Sequence, residues 1–191
     1  MFEQSVIYPP REGFPFHITA KRYWDELPGF DDNDPDAITL VLLHGTGFHK
    51  ETWEPSLERV FHLASRSNIG DVKIREAWAI ECPNHGASAQ LNDSTLQQPV
   101  YRHNCAASYL ILSLTNAPIT ICLAVTCEKF ATIVHHFLST GPDQGSRVDF
   151  KRRNLVGITH SLGGVSMSVL SYIQRSSNRR LKIPQNNTTT Y

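Results

Sequence analysis

Ser161 stands in the stretch Asn154 to Gly164, which reads N-L-V-G-I-T-H-S-L-G-G. A serine hydroxyl becomes a useful nucleophile where a sharp strand-to-helix turn lifts it clear of its neighbours beside unpaired backbone N–H groups. The residue order offers that setting. The apolar run Leu155, Val156 and Ile158 suits a strand, Thr159-His160-Ser161-Leu162-Gly163-Gly164 suits a tight turn, and Val165 to Gln174 is compatible with a helix. The first turn of such a helix has N–H groups without intrahelical acceptors and the positive end of its dipole, so an oxyanion beside Ser161 would be stabilised. Ser161 is therefore the candidate nucleophile. The first position of the G-x-S-x-G pattern holds Thr159 in place of glycine, and its β-branched side chain crowds the crossing of strand and helix. The same residues also suit a buried strand followed by a glycine-bearing turn with no chemistry.

Other reactive side chains are placed less suggestively. Of the four cysteines, only Cys122 and Cys127 are close in sequence, and no histidine pair lies at ligand-like spacing from them, so reduced thiols are expected and no metal. His135 and His136 are adjacent and cannot share one face of a helix.

The elements that must position Ser161 come in alternation. Phe14 to Trp24 alternates loosely, as an edge strand or hairpin arm would, and Pro28 to Pro35 is a turn-rich acidic connector. Ile38 to Leu43 is a continuous apolar run, the pattern of a strand covered on both faces, and His44-Gly45-Thr46-Gly47-Phe48 ends it abruptly. From Thr52 onward Trp53, Leu57, Val60, Phe61 and Ala64 recur at helical spacing. A strand over Glu76 to Cys82 runs into a loop, Pro83 to Ser88, and a second amphipathic helix over Glu128 to Thr140 turns Phe130, Val134, Phe137 and Leu138 inward. This order predicts an α/β fold: three layers, a mostly parallel sheet with helices on both faces, and sites at the carboxyl ends of the strands.

Composition narrows the function. The 191 residues, 40% hydrophobic and 19% charged, are ordinary for one domain, and 18 basic against 18 acidic residues give no field to recruit nucleic acid or an anionic membrane. The N-terminus M-F-E-Q-S-V-I-Y-P-P lacks a basic segment followed by an apolar one, so secretion is not expected and the sequons at Asn92 and Asn186 carry little meaning.

Three stretches together resemble a known family. V-L-L-H-G-T-G-F-H-K-E-T-W-E, A-I-E-C-P-N-H-G-A-S-A and V-G-I-T-H-S-L-G-G are similar, in order and rough spacing, to the oxyanion loop, the P-x-H-G-x-S loop and the nucleophile elbow of the α/β-hydrolase superfamily. The likeness is strongest to its fungal peroxisomal lipase-like branch and covers about Phe14 to Leu170. The resemblance implies Ser161 as nucleophile, the Leu162 amide as one oxyanion donor and Thr46 or Gly47 as the second. His44, Gly45, His160 and Gly163 belong to the motifs, with His44, His85 and His160 read as hydrogen-bonded scaffold. It further implies hydrolysis of a small-molecule, lipophilic ester without a cofactor, in the cytoplasm or the peroxisome.

Two features depart from that family. Residues 162 to 191 contain no Asp, Glu or His, whereas the family order places an acid and then a histidine after the nucleophile. A single, incomplete domain over residues 1–191, truncated after the elbow and inactive as given, is the expectation. Residues 104–127 carry no charge at all, which suits a spurious insertion such as a translated intron, a lid, or a membrane segment, although Asn116 and Pro118 interrupt any span. Residues 175–191 read as a polar tail. A non-catalytic half-fold used for binding, and a chain anchored in a membrane through 104–127, are the alternatives to the hydrolase.

Overall fold

A computed structural model describes residues 1–12, 14–25, 34–66, 72–98, 125–141 and 148–176. Five strands form one sheet in the order β1-β2-β4-β3-β5, with β1 at Phe2–Tyr8, β2 at Ile18–Trp24, β3 at Ile38–Leu43, β4 at Ile74–Ile80 and β5 at Asn154–Thr159. The first two strands form an antiparallel pair and β2 also lies antiparallel to β4, while β3 runs parallel to both β4 and β5. The carboxyl ends of β3, β4 and β5 therefore lie side by side.

The continuous apolar strands are covered on both faces. Along β3, Val41 and Leu43 face one core with Trp78 and Ile80 of β4, while Leu40 and Leu42 face the other with Ala77 and Ala79. Helix α1 (Glu54–Arg66) brings Leu57 and Phe61 to the second core. Helices α3 (Cys127–Ser139) and α4 (Leu162–Ser176) close the first with Phe130, Val134, Phe137, Met167 and Leu170. Phe130 and Phe137 are fully buried, each worth about 1.5–3 kcal/mol of apolar transfer. Met167 of α4 rests on the bare face of Gly157, where a Cβ would stand 2.7 Å from its terminal methyl.

Several boundaries differ from the sequence reading. Of the two expectations for Phe14 to Trp24, the hairpin arm holds and the edge strand does not: β1 pairs antiparallel with β2 from Phe2 opposite Trp24 to Tyr8 opposite Ile18, takes one edge of the described sheet and leaves β2 inside it. Its pattern was masked by Ile7, which points outward at 59% exposure while Val6 and Tyr8 face the core. A 3-10 turn at Lys50–Trp53 precedes α1, which begins at Glu54 because Pro55, without an N–H, fits only a first helical turn. The supposed loop over Pro83 to Ser88 already contains the start of helix α2 (Gly86–Leu96). That helix has no apolar stripe, and its buried residues are Ser88 and Asn92. Asn92 acts as a surrogate strand neighbour, accepting from the His17 N–H at 2.7 Å and donating to the His17 carbonyl at 3.0 Å.

The uncharged stretch 104–127 lies outside the described residues except for its end. Val125 is buried at 1% exposure, Thr126 caps α3 by accepting from the Lys129 N–H at 3.3 Å, and Cys127 opens the helix. Among the described residues no helix is long and apolar enough to cross a membrane. Most of the tail, 177–191, also lies outside the described residues.

Candidate active site

Ser161 lies one residue beyond β5, after His160, and has φ of 50°, the one positive-φ residue other than glycine among the described residues. Holding a serine in the left-handed region costs on the order of 1–3 kcal/mol, so the surrounding contacts must over-determine it. They do so from both sides. The His160 N–H continues the parallel pairing by donating to the Leu43 carbonyl at 3.1 Å, and beyond the turn the Gly163 and Gly164 amides close back onto the carbonyls of His160 and Ser161 at 3.0 and 2.8 Å. Gly163 has no room for a side chain, since a Cβ would run into the backbone carbonyl of Leu43. The Thr159 hydroxyl faces Gly164, where a Cβ would meet it only in ordinary van der Waals contact, at 3.5 Å.

The loop after β3 packs against this elbow. A Cβ on Gly45 would lie 2.5 Å from His160 Nδ1 and 3.2 Å from Ser161 Cβ, so Gly45 must be bare for the two loops to meet. Phe48 stands edge-on to the His160 ring, with centroids 5.4 Å apart. Leu162 is the first residue of α4, and its amide has no intrahelical acceptor. The structure therefore brings Ser161, Leu162, His160 and Gly163 together with Gly45 of the loop after β3.

His44 and His85 are committed elsewhere. His44 is fully buried; its Nε2 accepts from the Cys82 N–H at 3.1 Å and its Nδ1 donates to the Gly45 carbonyl at 2.9 Å. Burial holds it below the usual imidazole range. His85 Nε2 accepts from the Gly47 N–H at 3.2 Å, while Nδ1 faces Asn84 Oδ1 at 2.8 Å. Burial, with the nearby His44 second, pushes His85 down to about 4. The Gly47 amide is thus engaged with His85.

Below these loops lies a buried polar network that the hydrophobic pattern does not reveal. Glu81, fully buried at the end of β4, accepts on Oε2 from Lys50 Nζ at 3.1 Å, Thr19 Oγ1 at 2.9 Å and the Ser88 N–H at 2.9 Å. Its Oε1 accepts from the Lys50 N–H at 3.3 Å and occupies the space a Cβ on Gly86 would need. The one visible signal was a carboxylate closing an apolar strand. Among the described residues no group of three or more His, Cys, Asp and Glu could hold a metal ion. A cavity of about 530 Å³ lies away from Ser161, between the β1–β2 turn and α3, with Tyr8, Phe14, His136 and Lys151 in its walls.

The model of the Alpha/beta hydrolase family matches residues 40–180, from β3 past the end of α4. The chain belongs to the alpha/beta hydrolase family. No curated protein matches it. Among solved structures, the peroxisomal alpha-beta-hydrolase Lpx1 from Saccharomyces cerevisiae is similar with a TM-score of 0.54 and 20% identity, covering 91% of this chain and 41% of that one. The Cif epoxide hydrolase from Acinetobacter nosocomialis gives a TM-score of 0.43 at 14% identity, covering 88% of this chain and 33% of its own. An epoxide hydrolase variant from Vigna radiata gives 0.46 at 11% identity, with 98% and 42% covered. The chain thus spans about two fifths of the length of the yeast α/β-hydrolase. At that identity the likeness to Lpx1 speaks for the fold.

Proposed function

We propose that this α/β-hydrolase chain carries the nucleophile and oxyanion half of a serine hydrolase that transfers the acyl group of a small, lipophilic ester to water. The supporting observation is the strained Ser161 at the top of β5, with the bare Gly45 of the neighbouring loop against its Cβ. In this reading Ser161 Oγ attacks the ester carbonyl and loses its proton to a base, and the carbonyl oxygen becomes an oxyanion facing backbone amides. The alcohol leaves with a proton, and water then releases the acid and restores Ser161. Leu162 supplies one amide from the start of α4, and the Thr46 segment supplies the second. Each such donor is worth about 3 kcal/mol in the transition state. No cofactor takes part in these steps.

Residues 162–191 contain no acid or histidine to serve as base. The 191-residue polypeptide alone should therefore turn esters over very slowly, with the site still formed. An aryl boronic acid tests this, because boron adds to the serine oxygen and presents a tetrahedral oxyanion without needing turnover. The ¹¹B resonance should move from trigonal to tetrahedral with this chain and stay trigonal with Ser161→Ala. Equal spectra for both proteins would refute Ser161 as nucleophile and favour a non-catalytic half-fold. The cytoplasm or the peroxisome is the proposed compartment, which a fluorescent fusion of the chain imaged against a peroxisomal marker checks.

A further inference from the structure

We infer that His85 is a positioning residue that decides which amide of the loop after β3 is presented to the oxyanion, taking the Gly47 N–H for itself and leaving that of Thr46 to pair with Leu162. The inference rests on the Ser161 reading and goes into how that site is built. Its first step is the tautomer of His85. Asn84 Oδ1 receives Cys82 Sγ at 3.1 Å as well as His85 Nδ1 at 2.8 Å. The Gly47 N–H can only donate, so Nε2 presents a lone pair and the proton of the neutral ring sits on Nδ1, which gives it to the Asn84 amide oxygen. That lone pair faces the Gly47 N–H, at 3.2 Å, and holds it.

The second step concerns Thr46. His44 Nε2 accepts from a backbone N–H, that of Cys82, so its proton also sits on Nδ1 and is given to the Gly45 carbonyl. The Gly45 carbonyl and the Thr46 N–H belong to the same peptide plane, and no peptide bond among the described residues is cis. In a trans peptide the two point in opposite directions. Fixing the carbonyl on the buried His44 therefore turns the Thr46 N–H away from it. His44 and His85 pack ring against ring at 5.0 Å, one holding the peptide before Thr46 and the other the peptide after it. Gly47, with φ of +80°, permits the bend between the two clamps.

This arrangement holds only while His85 is neutral. Protonated, it would turn an N–H toward the Gly47 N–H and the clamp would open. The titratable groups around it are His44, Glu81 (itself paired with Lys50) and the buried Cys82 thiol. Burial leaves His85 neutral down to about pH 4, so the clamp stands throughout the neutral range.

Amide NMR of the full chain, together with boronic-acid binding, tests the assignment. At pH 7, His85→Ala should move the Gly47 amide proton more than any amide outside residues 44–48 and 84–86, and His85→Gln, which restores an acceptor, should bring it back. In the unmodified chain the same proton should titrate with a midpoint near pH 4. The aryl boronic acid should bind His85→Ala about tenfold or more weakly, consistent with a misplaced oxyanion donor, and His85→Gln much as the unmodified chain. A Gly47 amide unmoved by His85→Ala, or unchanged boronic-acid affinity in that variant, overturns the inference. Boronic-acid binding that survives Ser161→Ala would instead overturn the nucleophile, with the Gly47 resonance still reporting on His85.

Discussion

Replacing Glu81 by glutamine removes one charge from a place that water does not reach. The carboxylate is fully buried, and Lys50 Nζ is 3.1 Å away with its side chain only 6% exposed. Glutamine keeps one oxygen but puts an NH₂ among the Lys50 ammonium, the Thr19 hydroxyl and the Ser88 and Lys50 amides, all of which donate to Glu81. Breaking a buried pair by removing one partner costs about 3–5 kcal/mol. Here the lower end applies, because Lys50 keeps Glu51 at 2.9 Å, a carboxylate with 33% exposure. Against a total of about 5–15 kcal/mol for a domain, a loss near 3 kcal/mol is a large fraction. Urea unfolding followed by circular dichroism reads it directly, and Lys50→Met with the double variant completes a cycle. The double variant should lose less than the sum of the singles, since it leaves no lone buried charge. A loss below about 1 kcal/mol for Glu81→Gln, or strict additivity, would show that the pair contributes no more than a surface ion pair does.

Gly163→Ala should destabilise the chain by about 1–3 kcal/mol and weaken boronic-acid binding, because its methyl meets the Leu43 backbone and α4 must lift from the sheet; a variant as stable as the parent in urea would contradict the close crossing. At Ser161, with φ of 50°, the alanine variant keeps the left-handed strain and the glycine variant releases it, so Ser161→Gly should be more stable than Ser161→Ala by about 0.5–1 kcal/mol. The reverse order in thermal unfolding would argue against a strained elbow. Hydrolysis of a short-chain p-nitrophenyl ester should be weak and little changed by Ser161→Ala, because removing the base from a triad leaves about 10³–10⁴-fold over water from oxyanion stabilisation and binding alone. Ordinary enzyme rates that disappear with Ser161→Ala would mean that a base acts within these residues.

How much was legible in the sequence depended on whether a residue announced its role through apolar spacing. Val41 and Leu43 alternate with Leu40 and Leu42 between two cores, and the helical stripe of Phe130, Val134 and Phe137 faces one of them, so β3 and α3 could be read directly. The elbow was legible for a different reason, a serine between a β-branched run and two glycines. Helix α2 was not, since it docks through Ser88 and Asn92, and a buried asparagine bonded to the His17 backbone looks in sequence like any turn residue. The edge strand β1 was hidden by an outward isoleucine. For the candidate site the limit is sharper still. His44 and His85 stand far apart in the chain, and nothing in their spacing says that one grips a carbonyl and the other an amide on either side of Thr46. In the proposed site, the choice between Thr46 and Gly47 as oxyanion donor is a matter of peptide orientation, which sequence order leaves open. It turns on hydrogen bonds from β4 and the loop before α2, and these in turn stand on the Glu81–Lys50 pair that ties the same loops together. The local geometry at Ser161 is therefore a tertiary property, set by buried polar groups whose partners come from four different elements.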